Sequence, residues 1–226
     1  MKHYLKMTYA EQAVGWAWLV IQLFFLPVAV VLANDLLQLS LSAAVLNTVI
    51  YVIDLIAVII IFRRFLLLQL RSIRISVLLL WVPVGFVLYW LLAYAATYVM
   101  LILQPEHINA NNAAVKSLMD SQFILTTICT VIIAPITEET LFRGLLFGQL
   151  YRKQPILGYM ISILVFAAVH VVSYIGQQSP LSLLISLVQY IPAGFVLSFV
   201  YTKAGTLTAP IFIHATLNLL ATLALR

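Results

Sequence analysis

The stretch from Phe123 to Leu150 reads FILTTICTVIIAPITEETLFRGLLFGQL. It is long enough to cross a bilayer, because about 20 mostly apolar residues make a spanning helix. Yet Glu138, Glu139 and Arg143 sit in its interior. An Asp, Lys or Arg at the centre of a membrane helix costs roughly 2.5–3.5 kcal/mol, so such groups should face one another or a wet cavity and mark a function. The rest of the chain shows which solvent surrounds this stretch. Of 226 residues, 64% are hydrophobic and 8% charged, against roughly 25% charged in soluble domains. Mean hydropathy is +1.11. A water-soluble fold of this length cannot hide that much apolar surface. The sequence therefore predicts an all-α polytopic bundle, one membrane domain over 1–226 with its chemistry in 123–220.

Seven spans are expected: Ala13 to Ala33, Ala43 to Phe62, Ser76 to Leu103, Phe123 to Leu150, Ile156 to Ile175, Leu181 to Tyr201, and Leu207 to Leu225. The first follows Lys2 and Lys6 and ends near Val31-Leu32-Ala33, which loosely resembles a signal-peptidase site. Its apolar run exceeds the roughly 7–15 residues of a signal core, so it reads as a retained span. Between the second and third spans, FRRFLLLQLRSIR mixes arginines with Phe and Leu, as a short amphipathic segment on the membrane surface does. QPEHINANNAAVK reads as the one substantial polar loop. Cys129 is the single cysteine, so no intrachain disulfide can form.

If all seven spans cross, Lys2, Lys6, Arg63, Arg64, Arg71, Arg74, Arg152, Lys153 and Lys203 fall on one side. Only Lys116 and Arg226 fall on the other, and Arg143 lies within a span. The positive-inside rule then predicts a cytoplasmic N-terminus and an external C-terminus. The same bias accounts for the net charge of +5 without nucleic acid.

Spacing relates the intramembrane ions to one another. Glu139 and Arg143 are i,i+4, with the acid on the favoured N-terminal side. Glu138 points about 100° away and is left free. Pro135, just upstream, removes a backbone donor and frees a carbonyl, so the helix should kink or restart there and admit water. At about 1.5 Å per residue, Glu138 lies roughly 21 Å from Arg152, His170 about 21 Å from Ile156, and His214 roughly 17 Å from Lys203. The three share a depth on three helices, and Asn218 shares a face with His214. Each is unremarkable alone: a histidine in a span is usually a packing residue, and Asn or a Glu–Arg pair is usually interhelical glue. Asp54 reads as structural, a second partner for Arg143. His3 and His107 read as exposed, and Cys129 as a packing residue.

Together the residues form three motifs. Glu138-Glu139-Thr140-Leu141-Phe142-Arg143 fits Glu-Glu-x-x-x-Arg, Phe166-Ala167-Ala168-Val169-His170 fits Phe-x-x-x-His, and His214-Ala215-Thr216-Leu217-Asn218 fits His-x-x-x-Asn. In this order they resemble the CAAX protease and bacteriocin-processing (CPBP, or Abi) family of intramembrane endopeptidases. That family includes the type II CAAX prenyl endopeptidases and bacterial proteins linked to bacteriocin immunity. The resemblance covers about Ala134 to Leu220, including the Tyr201-to-Leu207 turn. Eukaryotic members typically have eight spans, so seven implies a shorter bacterial-type member or a hidden helix. The resemblance implies that Glu138 is the general base that activates water, assisted by His170. It implies that His214 and Asn218 stabilise the oxyanion, while Glu139, Arg143 and Phe166 support the site. A metal-free hydrolysis is favoured; the alternative is zinc held by Glu138, His170 and His214, a set of three ligands plus water. The expected partners are the lipid bilayer and a membrane-associated protein or peptide substrate. Two further readings stay open, a non-catalytic bacteriocin-immunity or scaffold protein and a proton-coupled transporter, though no inverted repeat supports the latter.

The orientation is testable by cysteine labelling in a Cys129→Ser background. A cysteine near His107 should label from outside, and one near Lys6 only after permeabilisation. The opposite pattern would invert the topology.

Overall fold

The computed structural model describes residues 6–226; Lys2 and His3 lie outside the described residues. Eight helices follow in order: α1 (Tyr9–Leu36), α2 (Ala43–Ile61), α3 (Arg63–Arg71), α4 (Ile75–Leu103), α5 (Ala110–Lys153), α6 (Pro155–Val169), α7 (Pro180–Ala204) and α8 (Thr208–Leu225). Six of them, all but α3 and α6, are long and apolar enough to span a membrane. The all-α polytopic bundle is therefore as the sequence predicts. Polar caps start several of these helices. Thr8 and Glu11 form a reciprocal capping box on α1, and Ser42, Asn109 and Ser179 accept from the first-turn amides of α2, α5 and α7. Each satisfies donors that the helix leaves open.

Three features depart from the sequence reading. The expected span from Ile156 to Ile175 is helical only to Val169, about 22 Å at 1.5 Å per residue, short of the roughly 30 Å hydrocarbon core. After His170 the chain makes a 3-10 turn, Val172–Tyr174, and Gly176 takes φ +85°. The apolar run continues past a helix end. Conversely, QPEHINANNAAVK is not all loop, because α5 begins at Ala110 and runs on. Its polarity places it outside the hydrocarbon without preventing a helix. Gln122 (φ −147°, ψ 75°) breaks the ladder, separating this outer segment from the membrane part that starts at Phe123.

The third concerns only the form of the irregularity expected in α5 around Pro135. The backbone widens into π-type turns at Cys129–Ile133 and Glu139–Phe147, flanking one α turn, Ala134–Glu138. Such bulges occur frequently at functional sites. The second is buried throughout, its side chains meeting Val196, Val200, Tyr201 and Ile213 in the core. A shorter π stretch in α1, Ile21–Phe25, carries Gln22.

The helices pack around α7, which contacts α4, α6 and α8. Small residues bring them close, as membrane interfaces favour: Ser162 and Ser198 hydroxyls lie 3.3 Å apart between α6 and α7. The α5–α6 hairpin turns on Gln154 alone, extended before Pro155, as a residue before proline prefers. A Cβ on Gly158 would stand 2.8 Å from the Tyr151 nitrogen and 2.9 Å from its Cα, so glycine is required there. Gly158→Val should cost about 1–3 kcal/mol by overpacking, seen as a lower unfolding midpoint in detergent. An unchanged midpoint would contradict this close packing.

Candidate active site

Glu139 lies at the centre of the polar cluster. Its Oε1 accepts from Arg143 Nη1 at 2.9 Å and lies 2.8 Å from His214 Nδ1. Both Glu139 and Arg143 are 0% exposed. The arginine also donates to the Gly194 carbonyl at 3.4 Å and sits 4.4 Å above the Phe166 ring, a cation–π contact. One carboxylate thus ties α5 to α8, while its arginine reaches α7 and α6. A desolvated ion pair gains from contacts beyond the pair itself; three other helices supply them at Glu139 Oε1 and the Arg143 guanidinium, while Glu139 Oε2 and Arg143 Nε have no partner among the described residues.

Phe166 explains why an aromatic residue precedes the histidine by one turn. Its ring lies edge-on to Phe142 at 5.8 Å and to His214 at 5.9 Å, so it spaces the arginine from both histidines. Its carbonyl is 2.7 Å from His170 Nδ1. A carbonyl only accepts, so Nδ1 carries a proton, and in the neutral ring the Nε2 lone pair is left available. The His170 ring stacks on Tyr190 at 4.4 Å. The end of α6 at Val169 therefore has a use: it leaves His170 as the C-cap residue, lining the cavity.

Glu138 takes no part in the buried pair. Its side chain is 20% exposed, and Oε2 is buried with no hydrogen-bond partner among the described residues. His214 Nε2 is 3.9 Å away. Glu138, His170, His214 and Asn218 all line one cavity of about 550 Å³. Asn218 donates from Nδ2 to the Thr130 carbonyl at 2.7 Å, exposed by the first π stretch of α5, and retains a second N–H.

Asp54 is 6% exposed and lines the same cavity, but it is not a partner of Arg143. It accepts from Trp18 Nε1 at 2.8 Å and from the Gln22 amide. Spacing along one helix does not reveal Trp18, Gln22, Thr130 or Tyr190 as site residues. Only Asp54, an acid within a span, carried a signal. His107, read as exposed, lies 3.1 Å from the Ser186 hydroxyl. Cys129 is buried 3.7 Å from the Thr48 hydroxyl.

A metal was tested against the same residues. Among the described residues, no three His, Cys, Asp or Glu side chains are grouped to hold a metal ion. Both histidines turn Nδ1 to protein oxygens, and the Arg143 cation lies one bond beyond Glu139. Glu138, His170 and His214 are not drawn together as a metal-holding group among the described residues.

Residues 120–220 match the family described as "Type II CAAX prenyl endopeptidase Rce1-like". A Bacillus subtilis (strain 168) protein named "Putative membrane peptidase YdiL" is 33% identical over 95 residues, 42% of this chain and 34% of that protein. An Escherichia coli protein, "Uncharacterized 24.3 kDa protein", is 32% identical over 117 residues, 50% of this chain and 49% of that protein. The chain thus spans half or less of the length of these relatives. No solved structure matches. Over residues 120–220 the chain is thus similar to the Rce1-like family, the same direction in which its three motifs point.

Because Arg143 is buried and pairs with Glu139, Arg143→Ala should leave Glu139 uncompensated at about 3–5 kcal/mol. The expected result is a sharp loss of folded protein in the membrane, measured by fluorescence-detected size exclusion. A normal, monodisperse yield would show that the pair does not hold the site.

Proposed function

We propose that the chain is an intramembrane endopeptidase in which Glu138 activates a water molecule against a peptide bond. The observation that carries this reading is the Glu138 carboxylate, unpartnered at Oε2 and facing a cavity beside two histidines. Beside it, Glu139 is bound on two sides. A base has to be held but not consumed by its surroundings. Each acid has an unpartnered Oε2, but of the two only Glu138 lines the cavity.

In the proposed reaction Glu138 takes a proton from water, and the water oxygen bonds to the scissile carbonyl carbon. His170, with Nδ1 fixed on the Phe166 carbonyl, orients the water through Nε2. The carbonyl oxygen becomes an oxyanion. It accepts from the remaining Asn218 N–H and from His214, acting as an imidazolium that donates Nδ1–H to Glu139. Donors placed in advance in a dry site stabilise such charge strongly. The carbon–nitrogen bond then breaks as Glu138 returns its proton to the leaving nitrogen, giving a carboxylic acid and an amine. No metal enters these steps. The substrate is a membrane-associated protein or peptide. The two bacterial relatives favour a bacterial plasma-membrane enzyme acting on something other than a prenylated tail, with its basic end and N-terminus in the cytoplasm.

Glu138→Gln keeps the size of the side chain and removes the base. It should fold, retain captured substrate and lose turnover; cleavage by purified, folded Glu138→Gln protein would rule out the assigned base. On the substrate so captured, Asn218→Ala should lower turnover by about 10²–10³ with little change in KM, since the bond strengthens mainly in the transition state. Exhaustive chelation should leave the wild-type rate unchanged. Stoichiometric zinc whose removal stops cleavage, and whose return restores it, would overturn the metal-free steps.

A further inference from the structure

A second concavity lies at the far end of the bundle, outside the segment that matches the family. It is about 490 Å³ and sits where α1 begins, α2 ends and α3 runs. Arg63, Arg64 and Arg71 line it, over apolar side chains that include Ile60 and Leu67. Ile60 is 70% and Leu67 45% exposed, so the apolar floor opens onto the lipid-facing side of α2 rather than into the protein.

The platform is rigid. Phe65 and Gln69, on the opposite face of α3, are 1% and 2% exposed. Gln69 Oε1 accepts from the Leu207 amide at 2.9 Å, and its carbonyl accepts from Thr206 at 3.1 Å, clamping α3 to the α7–α8 turn. Glu11 is the one acid in the lining, and it is already engaged. It accepts from the Thr8 and Phe65 amides at 2.6 and 2.9 Å and lies 3.6 Å from Arg64. Arg63 and Arg71 have no acidic partner within ion-pair distance among the described residues. Two unpaired guanidinium groups and a third shared one thus surround a hollow with a greasy floor, at the level where a helix between two spans meets the headgroups.

Guanidinium groups suit phosphate, offering planar paired donors. Basic pockets at the ends of membrane helices bind anionic headgroups. The exposed isoleucine and leucine distinguish a lipid from a free anion, because only a lipid has acyl chains to cover them. We propose that this concavity binds the headgroup of an anionic phospholipid, with its phosphate among Arg63, Arg64 and Arg71 and its acyl chains along Ile60 and Leu67. The site needs none of the hydrolytic residues and stands or falls independently of the proposed protease activity.

The test uses the full chain purified in detergent, with native mass spectrometry and thermal unfolding as readouts. The probes are phosphatidylglycerol, phosphatidylcholine and inorganic phosphate. Phosphatidylglycerol should stay bound and raise the midpoint, while the other two do neither. An Arg63→Gln/Arg71→Gln pair, which leaves the Arg64–Glu11 contact intact, should weaken phosphatidylglycerol binding by roughly thirtyfold, the effect of two surface charges. An Arg152→Gln/Lys153→Gln pair should leave binding unchanged. Equal retention of the two lipids, or equal loss in both double variants, would reduce the effect to general surface charge and overturn the site. Stabilisation by inorganic phosphate that matches the lipid would make it a free-anion site instead. If the first pair fails to fold, the three probes on the wild-type protein still decide among these outcomes.

Discussion

One carboxylate holds the site together. Glu139 Oε1 receives Arg143 from its own helix and His214 from α8, in a position from which water is excluded. Unpaired, that charge would be among the costliest groups in the chain. Paired, it fixes the rotation of α5 against α8. It also fixes Phe166, because the guanidinium lies on the phenyl ring, and through the Phe166 carbonyl it fixes His170. The three motifs are thus not three separate contributions to a cavity. They are consecutive links of one contact chain, with Glu138 left at its open end.

The same constraint explains the irregular backbone. A regular α-helix through Pro135 would leave a carbonyl unpaired in lipid, where unsatisfied backbone groups are costly. Widened turns on both sides absorb the proline, and the carbonyl of Thr130 in the first of them is taken by Asn218. Irregular backbone is tolerated at membrane depth where it lines a cavity, and that is where it occurs here. The short α6 fits the same logic, ending partway through the expected span so that His170 lines the cavity rather than a helix interface.

Much of this was legible before any coordinates. Apolar runs of spanning length, the i,i+4 relation of Glu139 and Arg143, and the common depth of Glu138, His170 and His214 all follow from helix geometry alone. What was not legible depends on rotation between helices. His214 was read as a partner of the reaction and is also a partner of Glu139, and no spacing within one helix says so. Asp54 is expected near Arg143 because both are charged; its partners, Trp18 and Gln22, lie on a helix whose faces hydropathy cannot orient. The end of α6 was missed because Val171, Val172 and Ile175 prolong the apolar pattern beyond the last helical turn. The start of α5 was missed for the opposite reason, since polar residues were taken to mean a loop.

The central claim is a division of labour between adjacent glutamates, with Glu139 holding the helices and Glu138 left free to act. The most direct measurement compares the thermal unfolding of Glu139→Gln and Glu138→Gln proteins in the same detergent, beside wild type. A buried charge with two partners should be costly to remove, whereas removing an unpartnered active-site charge is neutral or stabilising. The account predicts a large drop in midpoint for Glu139→Gln and none for Glu138→Gln. Equal drops, or a drop confined to Glu138→Gln, would contradict it.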